Sequence, residues 1–469
     1  MNLNKLFAPR DMTMGPPWKR ITEFAVPMLV GNLAQQLYST VDTIVVGKYV
    51  GDLALSAVGS AGPILNLMLA LFVGISTGAG IVVSQYYGAK DRENLAKAIG
   101  NCLTLALIAS VFTMIAGPLL TRFLLELLDT PASIIDWCDS YLVIFFLGSA
   151  GFTFYNILSG ILRGMGDSLS ALAFLIVSTI LNIALDIWFV AGFRMGVAGV
   201  SLATVLAQML SAVFCFIKLI HMKDVFTLRR GDLKITREHA MRIIRLGIPS
   251  GITQAIFSVS MLVVQTLTNS LGELVIACNV IVMRVDGFAM MPNMTFGNSM
   301  SVYAGQNVGA GKGKRVTDGA KQGAALAVGT SAVITIVLLF LGKYLMLLFT
   351  QTQELVDLAV RMMRILAVGY VAVAVSQVLG GVMRGAGDTV SPMWIGLFTT
   401  VVMRVPLAYG LAYLTRCPEY PNGRPEALFG SLLITWTIGM VIHCVVYRFG
   451  PWKKYLPAPE EAASPAAGN

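Results

Sequence analysis

The chain is poor in the residues from which catalytic and metal sites are usually built. Its 469 residues include three His and six Cys, and the Cys are scattered without a CxxC pair. No HExxH motif occurs, and the Gly-Lys stretch at 309–315 lacks the spacing and the following Ser or Thr of a phosphate-binding loop. We therefore expect no enzymatic activity, no metal site and no cofactor. The Cys are interpreted as small buried hydrophobic residues.

Charge is also scarce. Only 13% of the residues are charged and 56% are hydrophobic, with a mean hydropathy of +0.74. Soluble domains carry about 25% charged residues, so the composition excludes an ordinary soluble protein. An all-α membrane protein is predicted, because lipid offers backbone groups no hydrogen-bond partners. Twelve apolar stretches are long enough to span a bilayer, namely 24–46, 53–84, 95–128, 138–162, 169–192, 196–221, 246–270, 274–307, 317–348, 358–382, 391–414 and 426–448.

The positive charges are unevenly placed between these stretches. If both termini are cytoplasmic, the inner segments hold 24 of the 34 Lys and Arg, eight of them between 218 and 245, and the outer segments hold eight. The positive-inside rule then predicts a multi-pass protein of the cell (inner) membrane with both termini in the cytoplasm. The net charge of +9 is thereby explained without a nucleic-acid partner. A basic loop that binds an acidic partner is the alternative.

The chain contains an internal sequence repeat that relates its two halves. LSGILRGMGDSLS at 158–170 returns as LGGVMRGAGDTVS at 379–391, a shift of 221 positions, and the same shift carries QYYGAK at 85–90 onto QNVGAG at 306–311. Each copy holds six predicted spans, so both copies start on the same side, as in a parallel repeat. The predicted domains are an N-lobe at 1–221, a cytoplasmic linker at 222–245, a C-lobe at 246–450 and a disordered tail at 451–469.

The repeated Arg-Gly-x-Gly-Asp segment is predicted to be a tight structural turn between two helices. Its first Gly is expected to end one helix in the left-handed conformation, and its Asp to cap the next helix. The Arg lies near a helix C-terminus, where a cation is favoured. The residues are Arg163, Gly164, Gly166 and Asp167 in the first copy and Arg384, Gly385, Gly387 and Asp388 in the second.

Two acidic residues lie deep within predicted spans of the first half, away from the span ends. At 1.5 Å per residue, Asp42 and Asp186 lie about 27 Å and about 26 Å along helices that start in the cytoplasm, and so at one level. Asn182 shares a helix face with Asp186, and Thr204 lies at a similar depth on the next helix. These oxygens could hold a proton or a sodium ion, since burial and a neighbouring like charge favour protonation of a carboxylate. Interhelical hydrogen bonding is the alternative.

The second half lacks this acidic group. Shifted by 221, Asn182 and Asp186 become Met403 and Leu407, and Asp42 becomes Val263. Cation coupling, where it occurs, is therefore predicted for the N-lobe.

The second half has other charged residues within its spans. Asp286 on the eighth span and Arg404 on the eleventh are expected near mid-membrane, where they could form a structural ion pair or belong to a substrate site. Met290 is one of several Met on the eighth span, which suit a promiscuous pocket but also serve as gap-fillers. The substrate-site candidates are Gln35, Tyr38, Gln254, Arg284, Asp286 and Met290.

Taken together, VSQYYGAKD at 83–91, GQNVGAGK at 305–312 and the doubled Arg-Gly-x-Gly-Asp resemble the MATE family of multidrug and toxic compound extrusion transporters. The resemblance covers about residues 20 to 450. It implies a V-shaped bundle of two six-helix lobes. It also implies secondary active export of small organic, often cationic, compounds in exchange for protons or sodium, by a protein expected to be monomeric.

In that family the N-lobe cation site is built from residues that map onto Asp42, Asn182, Asp186 and Thr204, with Asn156 implicated on the fourth span. Some members have a second acidic site in the C-lobe, but the equivalent spans here hold only Gln among comparable polar residues, which favours the N-lobe. The first alternative function is a flippase for lipids or lipid-linked sugars, which should have several basic residues in its cleft. The second is a receptor or scaffold that transports nothing.

Overall fold

The computed structural model describes residues 9–457, apart from the side chains of residues 37–44, 52, 53, 55 and 71. Over this range the chain is helical, with one isolated β-bridge between Cys417 and Tyr420. The helices are α1 Pro17–Tyr49, α2 Asp52–Gly88, α3 Arg92–Leu127, α4 Ile135–Leu147, α5 Ser149–Gly164, α6 Ser168–Asp186, α7 Gly196–His221, α8 Arg237–Ser270, α9 Glu273–Gly309, α10 Gly313–Leu347, α11 Gln353–Ala386, α12 Val390–Leu397, α13 Arg404–Leu414 and α14 Glu426–Phe449.

The helices account for all twelve predicted spans. Ten helical stretches of the described part are long and apolar enough to cross a membrane, and α4 and α5, bent by 53° at Gly148, together form an eleventh. Helix α1, with 33 residues, covers the remaining predicted stretch. Two further spans are interrupted by π-helical turns, Ile187–Gly192 after α6 and Phe398–Met403 between α12 and α13. The predicted all-α membrane fold is confirmed.

Two boundaries differ from the prediction. Helix α8 begins at Arg237, within the segment 222–245 that was predicted to be a linker. Residues 451–455, predicted as part of a disordered tail, form a 3-10 helix. The reason is Trp452, which is fully buried, stacks on Tyr447 with ring centroids 4.8 Å apart and donates its indole N–H to the Tyr447 carbonyl oxygen at 2.8 Å. Burial of this large side chain fixes the segment against the C-lobe.

The two lobes, α1–α7 and α8–α14, are in close contact at one end of the molecule, here called the closed end. Helix α2 packs closely on α8, where a Cβ on Gly74 would lie 2.6 Å from Gly251 and one on Gly78 would lie 2.5 Å from the Ile243 carbonyl oxygen. Further along α2, a Cβ on Gly59 would meet no atom within 4 Å. The close contact between α2 and α8 therefore involves the Gly74–Gly78 part of α2.

The closed end is the basic end of the molecule. The Lys- and Arg-rich segments 90–97, 229–245 and 312–321 lie beside the ends of α2, α8 and α9 that meet there. In addition, Lys312 Nζ donates to the Thr13 carbonyl oxygen at 2.9 Å, so the N-terminal segment closes over the same end.

Candidate functional site

The N-lobe contains a buried polar group between α6 and α7. Asn182 and Asp186 are fully buried on α6, and Thr204 on α7 is 8% exposed. The Asn182 amide Nδ2 donates to the Thr204 hydroxyl at 3.4 Å. Asp186 lies one turn further along the same face of α6. The structure thus brings together Asn182 and Thr204 and places Asp186 beside them, which forms a polar group inside an apolar lobe.

Oxygen atoms in this region have the character of cation ligands. Asn182 Oδ1 and Gln208 Oε1 are buried and accept no hydrogen bond from any described residue. The Thr204 hydroxyl donates to the Val200 carbonyl oxygen at 3.0 Å while its oxygen accepts from the Asn182 amide. Gln208 was not among the predicted site residues, although its spacing of four from Thr204 places both on one face of α7.

The chain departs from α-helical geometry directly after Asp186. The π-helical turn Ile187–Gly192 begins at the next residue. Such turns are rare and occur frequently at functional sites, since the extra residue changes the direction in which neighbouring side chains point. The sequence contains no signal for this turn, and it was not predicted.

The other predicted N-lobe residues differ in their placement. Asp42 and Tyr38 belong to α1, but their side chains lie outside the described part of the structure. Gln35 is exposed on the same helix. Asn156 is half-buried on α5 and donates to the Phe152 carbonyl oxygen of its own helix at 2.9 Å. The Asn156 amide group is thereby directed along α5 rather than to Asn182.

In the C-lobe, no direct ion pair joins Asp286 to Arg404. Within the described residues, no carboxylate lies within 4.0 Å of the Arg404 guanidinium. The Asp286 carboxylate accepts a hydrogen bond from the Tyr370 hydroxyl at 2.9 Å, a partner that was missed because Tyr370 lies in an otherwise apolar stretch of α11. Of the other candidates, Gln254 and Arg284 are exposed, and Met290 packs against the C-lobe core as a gap-filling side chain would.

The Asp residues of the repeated turn cap the helices that follow. Ser170 donates its backbone N–H to Asp167 at 2.9 Å, and Ser391 does the same to Asp388 at 2.9 Å. Both Ser hydroxyls also donate to these carboxylates, each at 2.6 Å. Burial raises the pKa of the Asp167 carboxyl group, and the hydrogen bonds from Ser170 oppose this shift.

The glycine that takes the left-handed conformation is the second of each motif. Gly166 has φ of 88° and Gly387 has φ of 116°, whereas Gly164 and Gly385, where this conformation was predicted, continue the helix. The first glycines have a different purpose, since each lies against a neighbouring backbone that a Cβ would overlap. The Arg of each motif, Arg163 or Arg384, occupies the last turn of its helix.

The repeated motifs bind one another across the two lobes. Gln85 of α2 donates its Nε2 to the Gly385 carbonyl oxygen at 2.9 Å, and Gln306 of α9 donates its Nε2 to the Gly164 carbonyl oxygen at 3.1 Å. The two glutamines are equivalent in the repeat, and so are the two glycines. We call this reciprocal pair of hydrogen bonds the glutamine clasp.

The amide oxygens of the glutamine clasp are also held from the opposite lobe. Gln85 Oε1 accepts from Arg242 Nη2 of α8 at 2.5 Å, and Gln306 Oε1 accepts from the Met12 backbone N–H at 2.9 Å. The Gln306 side chain is fully buried, and Gln85 is 5% exposed. Each glutamine therefore has both ends of its amide group satisfied between the lobes, at the closed end of the molecule.

Taken together, two repeated six-helix lobes, a clasp that joins them and a buried polar group within one lobe define a membrane transport protein. The MatE family model matches the chain twice, at residues 27–188 and 249–410, once in each lobe. The chain belongs to the MATE family, whose members are transporters and not enzymes.

Individual relatives agree with this assignment. The chain is 30% identical to the "Probable multidrug resistance protein YpnP" of Bacillus subtilis, over 94% of this chain and 97% of that protein. It is 29% identical to the "Probable multidrug resistance protein YoeA" of the same organism, over 89% of this chain and 92% of that protein. A solved outward-facing conformation of a multidrug resistance MATE family transporter has the same fold, with a TM-score of 0.86 and 22% identity over 93% of this chain and 96% of that one.

Proposed function

We propose that this protein is a secondary active multidrug exporter that exchanges small organic, often cationic, compounds for protons or sodium ions. The observation that carries the proposal is the buried polar group at Asn182, Asp186 and Thr204, which exists in the N-lobe only. A carboxylate placed among amide and hydroxyl oxygens inside a membrane protein is costly and typically serves an ion pathway. The names of the bacterial relatives support drug export.

The proposed cycle couples this site to a cleft between the two lobes, as in the V-shaped bundle that the family implies, with its open end opposite the glutamine clasp. A cation that enters from the open end binds near Asp186, at the point where α6 passes into its π-helical turn. Neutralising the site favours closer packing of α6 and α7, which closes the outer cleft and expels the organic compound. Opening of the inner face then requires the glutamine clasp to break.

The orientation follows from the charge distribution. With the basic closed end in the cytoplasm, both termini are cytoplasmic and the cleft faces outward. Gln35, Gln254 and Arg284, all exposed side chains, are then candidates for contact with the organic compound. A lipid flippase would need a set of basic residues there, but Arg404 lies buried against Met261 in the C-lobe, which leaves Arg284 alone.

The test uses proteoliposomes that contain a fluorescent organic cation, with a proton or a sodium gradient imposed separately. We expect Asp186→Asn to lose gradient-driven transport by tenfold or more, since the substituted amide cannot bind or release a proton or carry the negative charge. The matched control is Ser178→Ala on the same helix, which removes an interhelical hydrogen bond to the Ala207 carbonyl oxygen but no charge. Wild-type transport rates in Asp186→Asn, at normal expression, would contradict cation coupling at this site.

A further inference from the structure

The C-lobe contains a buried cation whose hydrogen-bond donors are largely unsatisfied. Arg404 is 4% exposed and begins α13, directly after the π-helical turn Phe398–Met403. Its Nη1 and Nη2 approach the Met261 sulfur at 3.6 Å and 3.7 Å, and its Nε has no hydrogen-bond partner. A thioether is a weak acceptor, so these contacts do not balance the charge of a guanidinium group.

A buried guanidinium without an anion is costly, because desolvation of the charge is not compensated. The carboxylate of Asp286 on α9 attracts the Arg404 guanidinium, but only from a distance beyond that of an ion pair. This carboxylate is bound by the Tyr370 hydroxyl at 2.9 Å, and it forms no ion pair with Arg404 within 4.0 Å. An additional negative charge next to Arg404 would remove this deficit.

A small cavity lies beside the guanidinium group. Its volume is about 30 Å³, and its polar lining consists of Arg404 with Gln265, Thr268 and Asn279, while the rest is apolar. No carboxylate lines it. A volume of this size admits one water molecule or one monatomic ion, and is too small for a phosphate or sulfate group. The Asn279 amide can add N–H donors to those of the guanidinium, and so can the second N–H of Gln265 Nε2, whose first N–H donates to Asn269 Oδ1 at 2.9 Å.

We propose that this cavity binds a single halide-sized anion, for which chloride is the natural probe. The anion would accept hydrogen bonds from the Arg404 guanidinium and from neighbouring amide N–H groups. By doing so it would join α8, α9 and α13 within the C-lobe, since Gln265, Asn279 and Arg404 belong to these three helices.

The position of Arg404 gives the proposal a structural context. Shifted back by 221 it corresponds to Ile183, the residue after Asn182. The two lobes therefore have opposite polarity at one level of the repeat, with a carboxylate group in the N-lobe and a guanidinium group in the C-lobe. Both groups adjoin a π-helical turn, which follows Asp186 and precedes Arg404.

The test measures thermal stability of the purified full-length protein, with sodium held constant while gluconate is replaced by chloride, bromide or sulfate. We expect a saturable rise in Tm with chloride and with bromide but not with sulfate. Arg404→Met, which keeps an unbranched side chain, should abolish this rise. The matched control is Arg364→Met, an exposed arginine on α11, which should respond to chloride as the wild type does.

A milder variant decides the outcome if Arg404→Met does not fold. Asn279→Ala should raise the half-maximal chloride concentration at least several-fold while the protein stays folded. Crystals grown in bromide should show anomalous scattering next to the guanidinium group. An equal Tm in chloride and gluconate for the wild type would overturn the proposal, as would an unchanged chloride response in Arg404→Met or in Asn279→Ala, because water alone would then fill the cavity.

Discussion

At the scale of single residues, the capping carboxylates of the two turns are open to a direct test. Asp167→Ala and Asp388→Ala each remove the acceptor for a helix N-terminal N–H, so each variant should lose about 1 kcal/mol of stability, seen as a lower Tm. Asp167→Asn is the control, because an Asn side chain can still accept the Ser170 N–H. A Tm for Asp167→Ala equal to that of the wild type would show that the cap contributes nothing.

The same turns show which structural roles can be predicted from residue type and which cannot. The capping role of Asp167 and Asp388 can be predicted from the sequence because it depends on side-chain chemistry at a fixed spacing from the start of a helix. The glycine that turns left-handed was misplaced by two residues, since both glycines of the motif permit positive φ. Only the tertiary contact of Gly164 and Gly385 with neighbouring backbones distinguishes them, and no local pattern contains that information.

At the scale of helices, the close crossing of α2 and α9 depends on glycine. A Cβ on Gly88 would overlap the Gln306 carbonyl oxygen, and one on Gly309 would overlap the Gln85 carbonyl oxygen. Gly88→Ala and Gly309→Ala should therefore separate the helices, with a loss of about 1–3 kcal/mol typical of overpacking. The Tm and the rate of transport should both be lower in each variant than in the wild type.

The control for this crossing lies on the same helix. A Cβ on Gly59 would meet no atom within 4 Å, so Gly59→Ala should keep or slightly raise the Tm through its better helix propensity. Equal stability for Gly59→Ala and Gly88→Ala would mean that α2 and α9 tolerate a wider separation than their contact indicates.

The number of helices was predictable, but their interruptions were not. Hydropathy is a local property, and a stretch of about 20 apolar residues predicts a span wherever it occurs. The 53° bend at Gly148 and the two π-helical turns lie within such stretches and change their geometry without changing their hydropathy. The residue types in these turns, such as Ile187 and Phe398, do not distinguish a π-helical turn from an α-helical one.

At the scale of the whole molecule, the internal repeat predicted two similar lobes but not how they bind each other. The shift that relates Gln85 to Gln306 also relates Gly164 to Gly385. In a molecule with approximate twofold symmetry, residues that are repeated together can pair across the axis. The glutamine clasp is such a pairing, and it gives the repeated motifs a role in joining the lobes in addition to their local turns.

The glutamine clasp should stabilise the conformation in which the lobes are closed at the basic end, relative to one in which they are open there. Because a hydrogen bond contributes about 0.5–1.5 kcal/mol net, Gln85→Ala or Gln306→Ala should each shift this balance about two- to tenfold toward the open form. Spin labels at Glu93→Cys and Lys314→Cys, both exposed positions at the closed end, would report the distance between the lobes in a background without the native Cys. The near-equivalence of the two hydrogen bonds predicts similar shifts in both single variants and a larger one in the double variant.

Gln353→Ala is the matched control, since its amide bonds only to Asp357 on its own helix at 2.9 Å. The distance distribution of this control should match that of the unsubstituted labelled protein. If the Gln85 and Gln306 variants, including the double variant, also keep that distribution, the clasp does not hold the inner face closed. The close packing of α2 on α8 at Gly74 and Gly78 would then have to account for the closure, and the glycine variants of these positions would be the ones to shift the distance.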